Sequence, residues 1–94
     1  MIKSFGSADT QQVYNDEGKP KKLSLDICKM ARVRLVWIDE AHDINQLSIP
    51  PSNRLKKLSG KRKAYHSIRI NEQWRIIFQW QDGDAYDVEI TDYH

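Results

Sequence analysis

The residues best suited to chemistry in this chain of 94 gather in its second half. From Arg54 to Arg75 stand eight bases (Arg54, Lys56, Lys57, Lys61, Arg62, Lys63, Arg69 and Arg75) against one acid, Glu72. From Ile76 to His94 there are five acids and no Lys or Arg, so the net charge of +2 conceals a strongly basic middle. A local field of this kind suits a polyanion, and nucleic acid is the commonest one. A solvated basic loop with no ligand is the plainer alternative.

Cleaving an RNA phosphodiester needs a base for the ribose 2′-hydroxyl, cations for the crowded phosphate, and an acid for the leaving oxygen. Arg69 and Arg75 suit the cationic part, because a guanidinium meets a phosphate with two parallel hydrogen bonds. The same pair could instead be bridged to Asp87 or Glu89 across a sheet. The sequence closes on Thr91-Asp92-Tyr93-His94, and an imidazole titrating near ~6.5 suits proton transfer. Other chemistries find little support. There is no Gly-rich phosphate loop, no His-x-x-x-His or Cys-x-x-Cys spacing and no Ser nucleophile motif, so neither a metal nor a cofactor is expected. The single cysteine, Cys28, excludes an internal disulfide and is expected to be a small buried residue.

The elements that position these groups follow from length and periodicity. Residues 1–94 are expected to form one domain, and 39% hydrophobic with 30% charged residues is an ordinary globular balance. No run approaches the roughly 18 apolar residues of a membrane span, and the opening Met1-Ile2-Lys3-Ser4-Phe5 lacks the apolar run of a signal peptide; a cytoplasmic location is the expectation. Ile2 to Phe5 reads as a short strand, and Asp9 to Tyr14 as a short helix after Ser7. Ser24 is the expected N-cap of a main helix from Leu25 to Glu40. Ile27, Met30, Ala31, Leu35 and Ile38 form its core stripe, widened by Val36 and Trp37, with Lys29 and Arg32 outside. Asp43 to Leu47 adds a helical turn before an extended Ile49-Pro50-Pro51 connection.

Beyond Arg54 the period becomes two. Ile68 and Ile70, then Trp74, Ile76, Phe78 and Trp80, then Tyr86, Val88 and Ile90 all share even parity. Equal parity calls for odd loops, here three residues each at Asn71-Glu72-Gln73 and Asp82-Gly83-Asp84. That register sets Ile68 opposite Ile76, Ile76 opposite Ile90, and Arg69 opposite Arg75 on the outer face with Thr91 beside it. His66 shares the core parity and is expected to be a core-facing or edge histidine. The expected architecture is α+β, with two N-terminal helices on one face of a twisted antiparallel sheet and a basic patch on the other.

Several segments resemble the HigB family of the RelE/ParE toxin superfamily. They are Met1-Ile2-Lys3-Ser4-Phe5, Arg54-Leu55-Lys56-Lys57-Leu58-Ser59-Gly60, Ser67-Ile68-Arg69-Ile70-Asn71, Gln73-Trp74-Arg75-Ile76, Asp82-Gly83-Asp84-Ala85 and Asp92-Tyr93-His94. The resemblance implies a compact RelE-like fold, ribosome-dependent mRNA cleavage in the decoding A site, and neutralisation by a helix-turn-helix, HigA-like antitoxin. It implies catalytic roles for Arg75, Asp92, Tyr93 and His94; the basic cluster itself leaves Arg54, Lys57, Lys61, Arg62, Lys63 and Arg69 as the residues expected to hold RNA or ribosome. Some family members carry a catalytic His where this chain has Lys56, and a Lys where it has Ser59. The His-based acid–base pair therefore does not carry over intact, and Lys56 or Lys57 is expected to supply charge stabilisation and proton transfer. A ParE-like gyrase inhibitor and a non-catalytic or attenuated basic RNA-binding module are the alternatives.

Overall fold

Two serines start the two helices. The Ser7 hydroxyl accepts from the Thr10 amide at the head of α1, Ala8–Tyr14. That of Ser24 accepts from the Ile27 amide at the head of α2, Leu25–Glu40. Each cap satisfies an amide that the first turn leaves unpaired. The computed structural model describes residues 1–92; Tyr93 and His94 lie outside the described residues.

α2 buries Ala31, Leu35 and Ile38 completely, with Ile27 half-buried beside them. Met30 departs from the expected stripe and is exposed. Its neighbour Arg34 takes the boundary instead, donating Nε to the Arg69 carbonyl at 2.8 Å and Nη1 to the Met30 carbonyl at 3.0 Å. Val36 and Trp37 are half-buried while Val33 stays exposed, so one flank of the helix faces the core. Cys28 is half-buried rather than buried, and that burial pushes its thiol above the ordinary range.

Asp43 and Gln46 form a capping box over a 3-10 turn, Ile44–Ser48. The expected extended connection is shorter than the sequence implied, because Pro51 opens a second 3-10 turn, Pro51–Asn53. A proline at the first position of a turn has its φ already set and loses no hydrogen bond.

Four strands follow: β1 Lys56–Lys57, β2 Tyr65–Arg69, β3 Trp74–Gln81 and β4 Asp84–Asp92. They pair antiparallel in the order β1-β2-β3-β4. Ile68 faces Ile76, Arg69 faces Arg75, Ile76 faces Ile90 and Arg75 faces Thr91. The Asn71 side chain accepts from the Gln73 and Trp74 amides and so fixes the three-residue β2–β3 loop.

The β3–β4 end corrects the expected register. Gln81 pairs with Asp84, leaving a two-residue turn at Asp82 and Gly83 with φ of 52° and 80°. Both angles are positive, as the favoured Asp-Gly hairpin turn requires. A bulge follows: Ile77 faces Glu89 but Gln79 faces Tyr86, so Asp87 and Val88 stand against Phe78, and Asp87 has φ 52°. The short turn inverts parity and the bulge restores it. Ala85 therefore faces the core in place of the expected Tyr86, while Val88 and Ile90 keep their expected side.

Both helices pack on β4, and the core joins Val13, Leu35 and Ile38 to Ile68, Ile76, Phe78, Val88 and Ile90. Thr10 links the layers, its hydroxyl accepting from the Ile90 amide at 2.9 Å. The expected first strand is a pair of parallel bridges from Ile2 to Ala85 and from Phe5 to Val88, which run the N-terminal segment along β4. Among the described residues, no helix is long and apolar enough to cross a membrane.

Candidate functional site

The sheet face away from the helices carries the odd-numbered residues of β2 and β3: Tyr65, Ser67 and Arg69, then Arg75, Ile77 and Gln79. Facing pairs lie on one side of a pleated sheet, so β1 divides its two lysines. Lys56 pairs with Ser67 and shares the open face, whereas Lys57 pairs with His66 on the other. Both lysines are exposed.

On this face lies a cavity of about 480 Å³, lined by Leu58, Arg62, Ser67, Arg75, Ile77, Thr91 and Asp92. Its walls are of two kinds. Leu58 and Ile77 give an apolar side, while Arg75 and Arg62 bring two guanidiniums, Arg62 from a 3-10 turn, Gly60–Arg62. Arg75 donates Nη1 to the Ser67 hydroxyl at 3.2 Å. Asp92, the last residue of β4, accepts from the Gln73 amide nitrogen Nε2 at 3.1 Å. A mixed wall of this sort fits a nucleotide, with its phosphate on the cations and its ribose or base on the apolar side.

The remaining cations, Lys56 and Lys57 among them, do not line this cavity. Arg69, in register with Arg75, donates Nε to the Asn71 carbonyl. Arg34 approaches the same end from α2; burial first, and the Arg69 charge second, hold its guanidinium below the ordinary value. Arg54, Lys61 and Lys63 are exposed and do not line the cavity. Asp87, one of the acids considered as a bridge to the arginines, instead accepts from Gln79 at 2.8 Å and lies 3.4 Å from the Ser4 hydroxyl.

His66 stands on the core side, stacked on Phe78 with ring centroids 6.1 Å apart. Burial first and the Lys57 charge second lower its pKa, and its buried Nδ1 meets no hydrogen-bond partner among the described residues. Among those residues, no three His, Cys, Asp or Glu side chains converge as metal ligands would.

Sequence reasoning placed Arg75, Arg62 and Asp92, which come together, and missed Leu58, Ser67, Gln73 and Ile77. Odd parity shared with Arg75 was the available signal for Ile77 and Ser67. Leu58 and Gln73 depend on loop geometry that alternation does not encode.

The sequence has relatives. The family model described as "RelE-like toxin of type II toxin-antitoxin system HigB" matches residues 3–94. "Toxin HigB-1" of Vibrio cholerae serotype O1 is 39% identical over 85 residues, 90% of each chain. "Endoribonuclease HigB" of Proteus vulgaris is 34% identical over 94 residues, the whole of both chains. An uncharacterized Haemophilus influenzae protein is 32% identical over 64 residues, 68% of this chain and 63% of that one. The chain belongs to the HigB-like family, the RelE-like toxins of type II toxin–antitoxin systems.

Proposed function

We propose that this toxin is an endoribonuclease that cuts mRNA in the ribosomal A site and so halts translation, acting in the cytoplasm until a helix-turn-helix, HigA-like antitoxin neutralises it. The observation that carries this reading is the cavity on the open sheet face, where Arg75, Arg62 and Asp92 meet beside an apolar wall. Arg75 and Arg62 bind the scissile phosphate and offset the charge that grows on its oxygens as the 2′-hydroxyl attacks. Asp92, followed by Tyr93 and His94, supplies proton transfer. Lys56 shares the open face and adds positive charge where some family members carry a histidine. Arg54, Lys61, Lys63 and Arg69 add positive charge that attracts RNA and ribosome, and Lys57 adds to it from the other face of β1. Cations on the protein itself carry the charge stabilisation, so the reading includes cleavage without a metal ion.

A site this sparse in acid–base groups depends on being handed an oriented substrate, and orientation alone supplies much of a rate. Purified toxin is therefore expected to cut messages on programmed ribosomes in the presence of chelator, at positions mapped by primer extension, and to leave naked RNA nearly intact. Efficient metal-dependent cutting of free RNA, or growth arrest with intact messages, would overturn the proposal.

A further inference from the structure

Ser67 is a polar side chain with no solvent exposure at all, on the sheet face away from the helices, where its facing partner Ile77 is buried as well. Its hydroxyl accepts from Arg75 Nη1, and its facing partners are Lys56 on one side and Ile77 on the other. The position is diagonal to Arg75, since the residue directly opposite Arg75 is Arg69. Two guanidiniums in register repel each other, and each would swing away from the other if left to itself. A hydroxyl two residues along β2 gives Arg75 a fixed destination away from Arg69 and beside the Ile77 wall, where the cavity lies.

From this geometry we infer that Ser67 is a positioning residue that aims the Arg75 guanidinium at the substrate phosphate. The inference rests on the proposed role of Arg75 in cleavage. Bidentate phosphate binding depends on the plane of the guanidinium as much as on its charge. A hydroxyl that accepts from Nη1 fixes that plane at one corner. Ser67 acts through Arg75 and needs no contact with RNA of its own. Removing its oxygen keeps the charge in the site but loosens its direction, which costs rate far more than binding. Misplacement of a catalytic group by about 1 Å lowers rates by as much as about 100-fold.

The test is single-turnover cleavage of mRNA on programmed ribosomes by the full chain, read as a maximal rate and a half-saturating ribosome concentration, with the melting temperature of each variant. Ser67→Ala is expected to lower the maximal rate by about 10- to 100-fold, to leave half-saturation within about two-fold, and to melt near the parent. Ser67→Thr keeps the oxygen and is expected to recover most of the rate. In an Arg75→Lys background, which lacks the guanidinium plane, Ser67→Ala is expected to cost little more. Parental cleavage by Ser67→Ala beside an inactive Arg75→Ala would overturn the role of Ser67 and leave that of Arg75 standing. A rate loss that Ser67→Thr fails to restore, or one that recurs in full in the Arg75→Lys background, would also overturn it. Full activity in Arg75→Ala would remove the role of Arg75, and with it this inference.

Discussion

Arg69 and Arg75, both half-buried, face each other across β2 and β3 on the side of the sheet away from the helices, and a third guanidinium, that of Arg34, touches the same strand end. Like charges directly opposite on a sheet cost stability. A phosphate site tolerates that cost for the sake of ligand binding. Arg75→Ala removes one of the facing charges and also the donor to Ser67, effects of opposite sign and each about 1 kcal/mol, among the contacts the side chain makes. The melting temperature is expected to move by less than about 8 °C, while cleavage on ribosomes falls by about 100-fold or more. Thermal unfolding and cleavage measured on one preparation give the answer; a variant that melts far below the parent would make the arginine a structural tie.

One residue along the same strand the outcome should reverse. Ile76 is fully buried between Ile68 and Ile90. Ile76→Ala is expected to destabilise by roughly 2–5 kcal/mol through lost burial and the cavity left behind. Urea unfolding reads this directly, and cleavage at low temperature should survive in whatever fraction stays folded. A loss of rate with no loss of stability would mean that β3 does not separate its two faces as its alternation implies.

Much of this was legible because local signals and the global fold agree. Ser7 and Ser24 announce the two helices, and even parity with a three-residue loop fixes β2 against β3. The end of the β3–β4 hairpin was not legible. A two-residue turn at Asp82-Gly83 and a bulge at Asp87 each invert parity, so together they leave the pairing of Ile76 with Ile90 unchanged. Alternation alone sees only their sum, and Tyr86 was placed on the wrong side for that reason. Met30 followed the helical period yet faces outward, because Arg34 reaches across to the Arg69 carbonyl and occupies the border. The burial of Ser67 is a tertiary matter: a serine in a strand carries no sign that an arginine from the next strand will bond to it.

Gly6 tests the packing of the N-terminal segment on β4. A Cβ there would lie 2.9 Å from Glu89 Oε1, 3.0 Å from the Asp87 carbonyl and 3.1 Å from Glu89 Cβ. The Glu89 carboxylate can turn aside, but the Asp87 carbonyl belongs to the bulge and cannot move without disturbing the Gly6 amide bond to Val88. Gly6→Ala is expected to cost about 1–3 kcal/mol, the usual penalty of overpacking. Hydrogen exchange should localise the loss to the amides of Gly6, Ala85 and Val88. A variant as stable as the parent would show that the segment lifts off at little cost.

The last prediction concerns pH and rests on His66, whose pKa is lowered by burial against Phe78 and, secondarily, by the Lys57 charge across the β1–β2 pair. In the unfolded chain the ring takes up its proton near ~6.5; in the folded chain it does so only at lower pH. Between those two values the unfolded state binds more protons, so stability rises with pH across that window. The contribution is complete above about 6.5, and it declines as the pH falls towards the folded value, below which no further loss accrues. Protonation would place a charge beside Lys57 and in a setting where Nδ1 has no acceptor among the described residues. His66→Phe keeps an aromatic ring against Phe78 and removes the titration. Melting temperatures at pH 7.5 and pH 5.5 should therefore fall further for the parent than for His66→Phe, with carboxylate effects common to both cancelling in the comparison. An equal fall in the two proteins would mean that His66 takes up its proton as readily folded as unfolded, and the buried-ring assignment would be wrong.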